Sequence, residues 1–182
     1  MLMARTRGMT LMEVLIALAI LALIAAVVIP TSATQLRQGH SAALANQLTN
    51  LREAIANYRE NVGAYPISLT QLTTPPVAGD DDSCGANLSN GEINAWRGPY
   101  VNQNIVAALP VGNASVQTGL VRNPASGTGA GDLQIQATGV DNDIALVLEQ
   151  QFDGNNNLAA GNVTWTAASN GTLVLHTPIR GC

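Results

Sequence analysis

Arg7-Gly8-Met9-Thr10-Leu11-Met12-Glu13, followed by the apolar run Val14 to Ile29, decides how the rest of this chain is read. All sixteen residues of that run are Ala, Val, Leu or Ile. With Met9, Leu11 and Met12 the segment reaches about 20 residues, enough to cross a ~30 Å hydrocarbon layer as a helix. One carboxylate, Glu13, lies inside its amino-terminal end. A charge at mid-membrane costs roughly 2.5–3.5 kcal/mol, and less toward the interface. Glu13 therefore calls for a partner. Its own helical face offers no cation, so that partner is expected on another molecule.

The chain has 182 residues, the size of one ordinary domain with an appendage. Hydrophobic residues make up 47%, with much of that before Pro30, and charged residues only 11%. Lys is absent, and the net charge of −4 argues against a nucleic-acid footprint, which needs clustered Lys and Arg. Arg5 and Arg7 precede the apolar run, which keeps that end cytoplasmic and sends the remainder across the membrane. Cys84 and Cys182 would then sit in an oxidising compartment, where a disulfide persists. One Cys84–Cys182 bridge would tie down the carboxy terminus; two free thiols or intermolecular pairing are the alternatives.

Past the apolar run, Pro30 is expected to interrupt or bend the helix, because it lacks an N–H and its ring clashes with the carbonyl of Ala26. Yet a helical pattern resumes at once. Leu44, Leu48, Leu51, Ile55, Tyr58 and Val62 form one apolar stripe at spacings of three and four, with Leu36 and Ala43 extending it backward. From Thr10 to about Asn61 such a helix would be ~78 Å long at 1.5 Å per residue. Gly63 and Pro66 end it. The boundaries are a leader at 1–8, a membrane-crossing half at 9–30, an amphipathic half at 31–62 and a globular head at 63–182.

In the head, Pro75-Pro76 and Gly79-Asp80-Asp81-Asp82-Ser83-Cys84-Gly85 read as a solvated loop. Leu133, Ile135 and Ala137, then Val163 and Trp165, then Leu173 and Leu175, alternate with polar residues as antiparallel strands with one buried face. Asn170-Gly171 is a short hairpin signal between the last two. Val140, Ile144, Val147, Leu148 and Phe152 predict a short helix capped by Asp141 or Asn142. Sheet plus long helix makes an α+β head. Asp153, Asn155 and Asn157 place oxygens at alternate positions, as calcium loops do, but without the twelve-residue spacing or the bidentate Glu, so a plain turn is the better reading. No other cofactor is expected. His40 falls in the helix and His176 in a strand, with no Cys, Ser or acidic partner at motif spacing, so no enzyme is expected.

Three readings fit the amino terminus: a cleaved secretory signal ending near Thr31-Ser32-Ala33, an uncleaved anchor, or one resting on the order Gly8, Met9, Thr10, Glu13. That last order resembles the prepilin signal of type IV pilins and type II secretion pseudopilins, with Met9 where Phe is commonest. The resemblance implies that a prepilin peptidase cuts between Gly8 and Met9 and methylates the new amine of Met9. It also implies the pilin fold, a long amino-terminal helix packed on a small antiparallel sheet. The α-amine is largely cationic at neutral pH, and N-methylation would leave that charge in place. A neighbouring subunit's Glu13 would meet it and register incoming subunits. Pro30 matches the family's helix-loosening proline.

Tyr58-Arg59 running into Gly63-Ala64-Tyr65-Pro66, and Trp96-Arg97-Gly98-Pro99-Tyr100, resemble phrases of the secretion pseudopilins. The later Asp-Pro-Trp-Gly phrase of the major pseudopilin is missing. The resemblance implies a structural subunit of a type II secretion pseudopilus. A minor type IV pilin is the alternative, and a membrane-anchored binding module that does not polymerise is a further one. Implied partners are homologous pilin-like subunits, prepilin peptidase, the inner-membrane assembly platform and membrane lipid. The implied location is the bacterial inner membrane in a single pass, head periplasmic, and then the filament.

Overall fold

The computed structural model describes residues 10–102, 113–123, 131–168 and 171–180, with 27–34 described as backbone. The chain divides into two compact units, Met1–Gly39 and His40–Cys182, which are taken separately. Helix α1, Leu11–Val62, runs through both with 52 residues. It is continuous at Pro30, so the proline does not end it. Loss of one N–H leaves the bonds of the flanking turns to carry the helix.

In the first unit the helix begins on Thr10, whose carbonyl accepts the N–H groups of Glu13 (3.0 Å) and Val14 (3.2 Å). The Thr10 hydroxyl takes a further bond from the Glu13 N–H at 3.3 Å, as a capping side chain does. Leu11, Leu15, Leu18, Leu21 and Leu23 are all exposed. Among the described residues no helix is long and apolar enough to cross a membrane. The segment expected to do so, 9–30, includes Met9 and the side chains of 27–30, which lie outside the described set.

The second unit is built on the other half of α1. Leu44, Leu48, Leu51, Ile55, Tyr58 and Val62 are all buried, so the apolar stripe is the core-facing side. It stops short of its expected start: Leu36 and Ala43 are exposed, and Ser41 and Gln47 take buried positions on the following turns. Gly63 ends the helix with φ +88°, a conformation glycine adopts without cost.

Beyond it come a 3₁₀ turn at Leu69–Leu72 and helix α2 at Asn90–Ala95. Ser89 and Glu92 close a reciprocal capping box on α2. The strands are β1 (Ser115–Val116), β2 (Val121–Asn123), β3 (Gly131–Thr138), β4 (Val163–Thr166) and β5 (Thr172–Ile179), with helix α3 (Asn142–Phe152) between β3 and β4. All pairings are antiparallel, in the order β1-β3-β5-β4, with β2 also on β3. Leu133, Ile135, Ala137, Val163, Leu173 and Leu175 are fully buried, so alternation set the strand faces as expected.

Three details differ from the sequence reading. Thr166 pairs with Thr172, so the connection between β4 and β5 runs from 167 to 171 rather than turning on two residues; Asn170 lies outside the described residues. Asp141 is the N-cap of α3, but its side chain makes no capping bond. Val147, expected inside, is 50% exposed, while Glu149 is fully buried. The buried set Ile144, Ala145, Leu148 and Glu149 follows the i, i+1, i+4, i+5 ridge, and Val147 falls off its side.

Aromatic rings finish this core. Tyr100 meets Tyr58 and Trp96 edge-on at 5.7 and 5.8 Å, the favoured geometry for ring quadrupoles. Trp96 donates its indole N–H to the carbonyl of Gln71 at 2.9 Å. Burial, and then the negative groups around it, push the Tyr58 hydroxyl well above the ordinary tyrosine range. These rings pack; the phrase that carries them is structural.

Candidate functional site

The residues expected to be processed lie at the amino terminus. Gly8 and Met9 lie outside the described residues; Glu13 is described, in the first turn of α1, and exposed. Its carboxylate there complements the positive end of the helix dipole. Among the described residues it has no ion-pair partner. The first unit thus presents an acid and a band of bare leucines, without supplying from its own described residues a group that answers either.

The loop acids do not converge. Asp80 Oδ2 accepts the Val77 N–H at 3.0 Å. Asp82 Oδ1 accepts those of Cys84 (2.9 Å) and Ala86 (2.8 Å). Asp81 takes the side-chain amide of Asn87. Asp80 and Asp82 thus fold backbone while Asp81 holds a side chain, so the three adjacent carboxylates serve three different partners, as short acidic side chains do in turns. Next to them, Tyr65 accepts the Ser83 N–H on its carbonyl (3.0 Å) and the Arg180 N–H on its hydroxyl (3.3 Å). One residue therefore joins the neighbour of Cys84 to a position close to Cys182, which itself lies outside the described residues.

The oxygens considered for calcium are likewise committed. Asp153 Oδ1 accepts the Asn162 N–H at 3.0 Å and its side-chain amide at 2.5 Å, and Oδ2 accepts the Val163 N–H at 2.9 Å. Asn155 Oδ1 takes the Asn157 N–H at 2.7 Å, and Asn157 Oδ1 the Ala159 N–H at 3.3 Å. The Asn155 and Asn157 bonds are local turn bonds, whereas Asp153 ties the end of α3 to the start of β4; among the described residues no group of three or more His, Cys, Asp or Glu gathers there. Burial opposes the charge on Asp153, but the bonds from Val163 and Asn162 outweigh it and hold the carboxyl below the ordinary aspartate range. One turn earlier Glu149 is the reverse. Burial pushes it up, the charge of Asp153 and a hydrogen bond with it add to that, and a backbone bond from Asn157 opposes them.

On the opposite side of the sheet lies a cluster that sequence reasoning missed. His176 Nδ1 is 2.5 Å from Asp132 Oδ2, and His176 Nε2 is 3.0 Å from Thr164 Oγ1. The acid precedes the histidine by 44 residues, so no motif spacing flags it. Alternation could have placed all three on one face; only the strand register makes them neighbours. A groove of about 300 Å³ lies between α1 and the segment after Trp96, lined by Asn50, Glu53, Asn57, Tyr100 and Asn102, and a shallower apolar one of about 420 Å³ lies along α3 at Leu146, Val147, Gln150 and Gln151.

Residues 3–29 match the prokaryotic N-terminal methylation motif, the prepilin-type signal of type IV pilins and pseudopilins. The match covers Gly8, Met9, Thr10, Glu13 and the apolar run. No curated protein and no solved structure matches this chain.

Proposed function

We propose that this chain is a structural subunit of a type II secretion pseudopilus, cut between Gly8 and Met9, methylated on Met9, and polymerised through the amino-terminal half of α1. The observation that carries the reading is the prepilin-type signal at 3–29 together with a Glu13 that has no ion-pair partner among the described residues. The motif implies processing by prepilin peptidase and assembly with pilin-like subunits. Before assembly the apolar run 14–29 anchors the chain in the inner membrane, head on the periplasmic side. In the filament the new amine of one protomer meets Glu13 of the next, and Pro30 marks where the helix can loosen. Truncating one partner of such a buried pair costs roughly 3–5 kcal/mol, because the other charge is stranded.

A Cys84–Cys182 disulfide belongs to the same reading. The bonds of Tyr65 to Ser83 and Arg180 support it, and so does the lack of a free cysteine among the described residues. Intact mass before and after reduction and alkylation tests it.

Glu13→Ala is the decisive variant for assembly, with cleavage and filaments scored separately. Cleavage should proceed and filaments should be lost; normal filaments would remove the registration role. Amino-terminal sequencing should find N-methylated Met9 as the first residue. The genes adjoining the locus distinguish a secretion pseudopilus from a pilus with minor pilins.

A further inference from the structure

The outer face of the sheet carries a connected chain of polar side chains from three strands. Leu133, Leu175 and Val163 point into the core, so Asp132 on β3, His176 on β5 and Thr164 on β4 share the other face. Asp132 Oδ2 is held by His176 Nδ1 at 2.5 Å and by the side-chain amide of Gln134 at 3.2 Å. In the tautomer that gives Nδ1–H to the carboxylate, Nε2 turns its lone pair to the Thr164 hydroxyl 3.0 Å away. The His176 and Asp132 side chains are 22% and 23% exposed, open enough for a small molecule to reach.

A hydroxyl and a base within hydrogen-bond reach, with the base oriented by a third group, is the arrangement that activates a nucleophile for acyl transfer. We propose that Thr164 is a self-activated nucleophile that accepts an acyl group from an activated ester or thioester, with His176 as general base and Asp132 as a positioning residue. Thr164 Oγ1 attacks the carbonyl carbon while its proton passes to His176 Nε2. The tetrahedral species collapses by breaking the bond to the leaving oxygen or sulfur, which takes the proton back from Nε2. The products are a threonyl ester and a free alcohol or thiol, with no electron carrier involved. Because the face is open, water solvates the developing oxyanion, and donors with a good leaving group are the ones that react. The transfer is stoichiometric, one acyl group per chain.

The test uses the full chain in detergent micelles with p-nitrophenyl acetate as the probe. p-Nitrophenol should appear in a burst equal to the protein present, and peptide mapping should find the acetyl group on Thr164. Thr164→Ala should abolish that label and Thr164→Ser restore it. His176→Gln should slow it by roughly 10²–10⁴-fold, the usual contribution of a general base. Asp132→Asn should slow it and move the pH profile, with partial rescue by Asp132→Glu. Melting curves accompany each variant; should a His176 or Asp132 variant unfold, the Ala and Ser variants at 164 decide alone. Acetyl spread over the amine and other hydroxyls with no preference for Thr164, or a label rate unchanged in His176→Gln, would overturn the proposal.

Discussion

Leu18 and Leu48 are the same side chain on the same helix, and they meet opposite surroundings. Leu18 is 56% exposed, while Leu48 has no exposed surface. A leucine that stays in water forgoes roughly 1.5–3 kcal/mol of burial, and the run from Leu11 to Ile24 repeats that loss at almost every turn. The second unit shows what a helix looks like when its own chain covers it: one face apolar, the others Asn, Arg and Glu. The first unit has no polar face to offer solvent. Its sequence suits lipid or neighbouring helices, whereas the sequence from Leu44 to Val62 suits a sheet made by the same chain.

The contrast breaks most visibly under one substitution made twice. Leu48→Ala should lower the stability of the second unit by about 2–5 kcal/mol, the usual cost of a cavity left by a buried leucine. Leu18→Ala should stay within about 0.5 kcal/mol, as exposed positions do. Thermal melting of the full chain in detergent, followed by the Trp96 and Trp165 signals, reads both. Equal effects would mean that the exposed run contributes to the fold of the head.

A smaller effect probes the turn that closes the head. Gly171 has φ +88°, and a Cβ there would lie 2.0 Å from the Val140 carbonyl oxygen and 3.0 Å from Trp165 Nε1. Both atoms are already engaged, since Trp165 donates its indole N–H to Val140 O at 2.8 Å. Gly171→Ala should therefore cost about 1–3 kcal/mol from backbone strain, with the clash adding to it. Gly63→Ala, at the same φ but with open space around the added carbon, separates the two contributions. If the two variants melt together, the close approach at Val140 is not what requires glycine at 171.

What was legible in the sequence was whatever repeats locally. The Leu44-to-Val62 stripe and the alternation of β3 and β5 report burial because helix and strand periods decide which side chains face the core. The prepilin-type signal was legible for a related reason: Gly8, Met9, Thr10 and Glu13 lie within six residues. The Asp132–His176–Thr164 cluster was not, because register across three strands is a long-range property. Glu149 was hidden differently. Reading apolar letters put Val147 inside, while the real face runs through Ala145 and Glu149, where a carboxyl occupies a position that composition would assign to a hydrophobe.

That carboxyl makes the smallest effect, and its sign can be worked out. Because the folded state raises Glu149, it keeps that proton to higher pH than the unfolded chain does. Its contribution to stability is therefore greatest below the ordinary glutamate range, falls as pH rises through the window up to the raised value, and is gone above it. Asp153 runs the other way: its carboxyl is lowered, so its contribution is present above the ordinary aspartate range and is lost as the solution becomes more acidic. Glu149→Gln removes the first dependence and keeps the second. Melting wild type and variant from about pH 4 to about pH 8, a span that starts in the carboxylate range and ends past neutrality, should show the variant gaining steadily on the wild type as pH rises. A difference that stays flat across the span would mean that Glu149 holds its proton alike in the folded and the unfolded chain, so that burial does not set its titration.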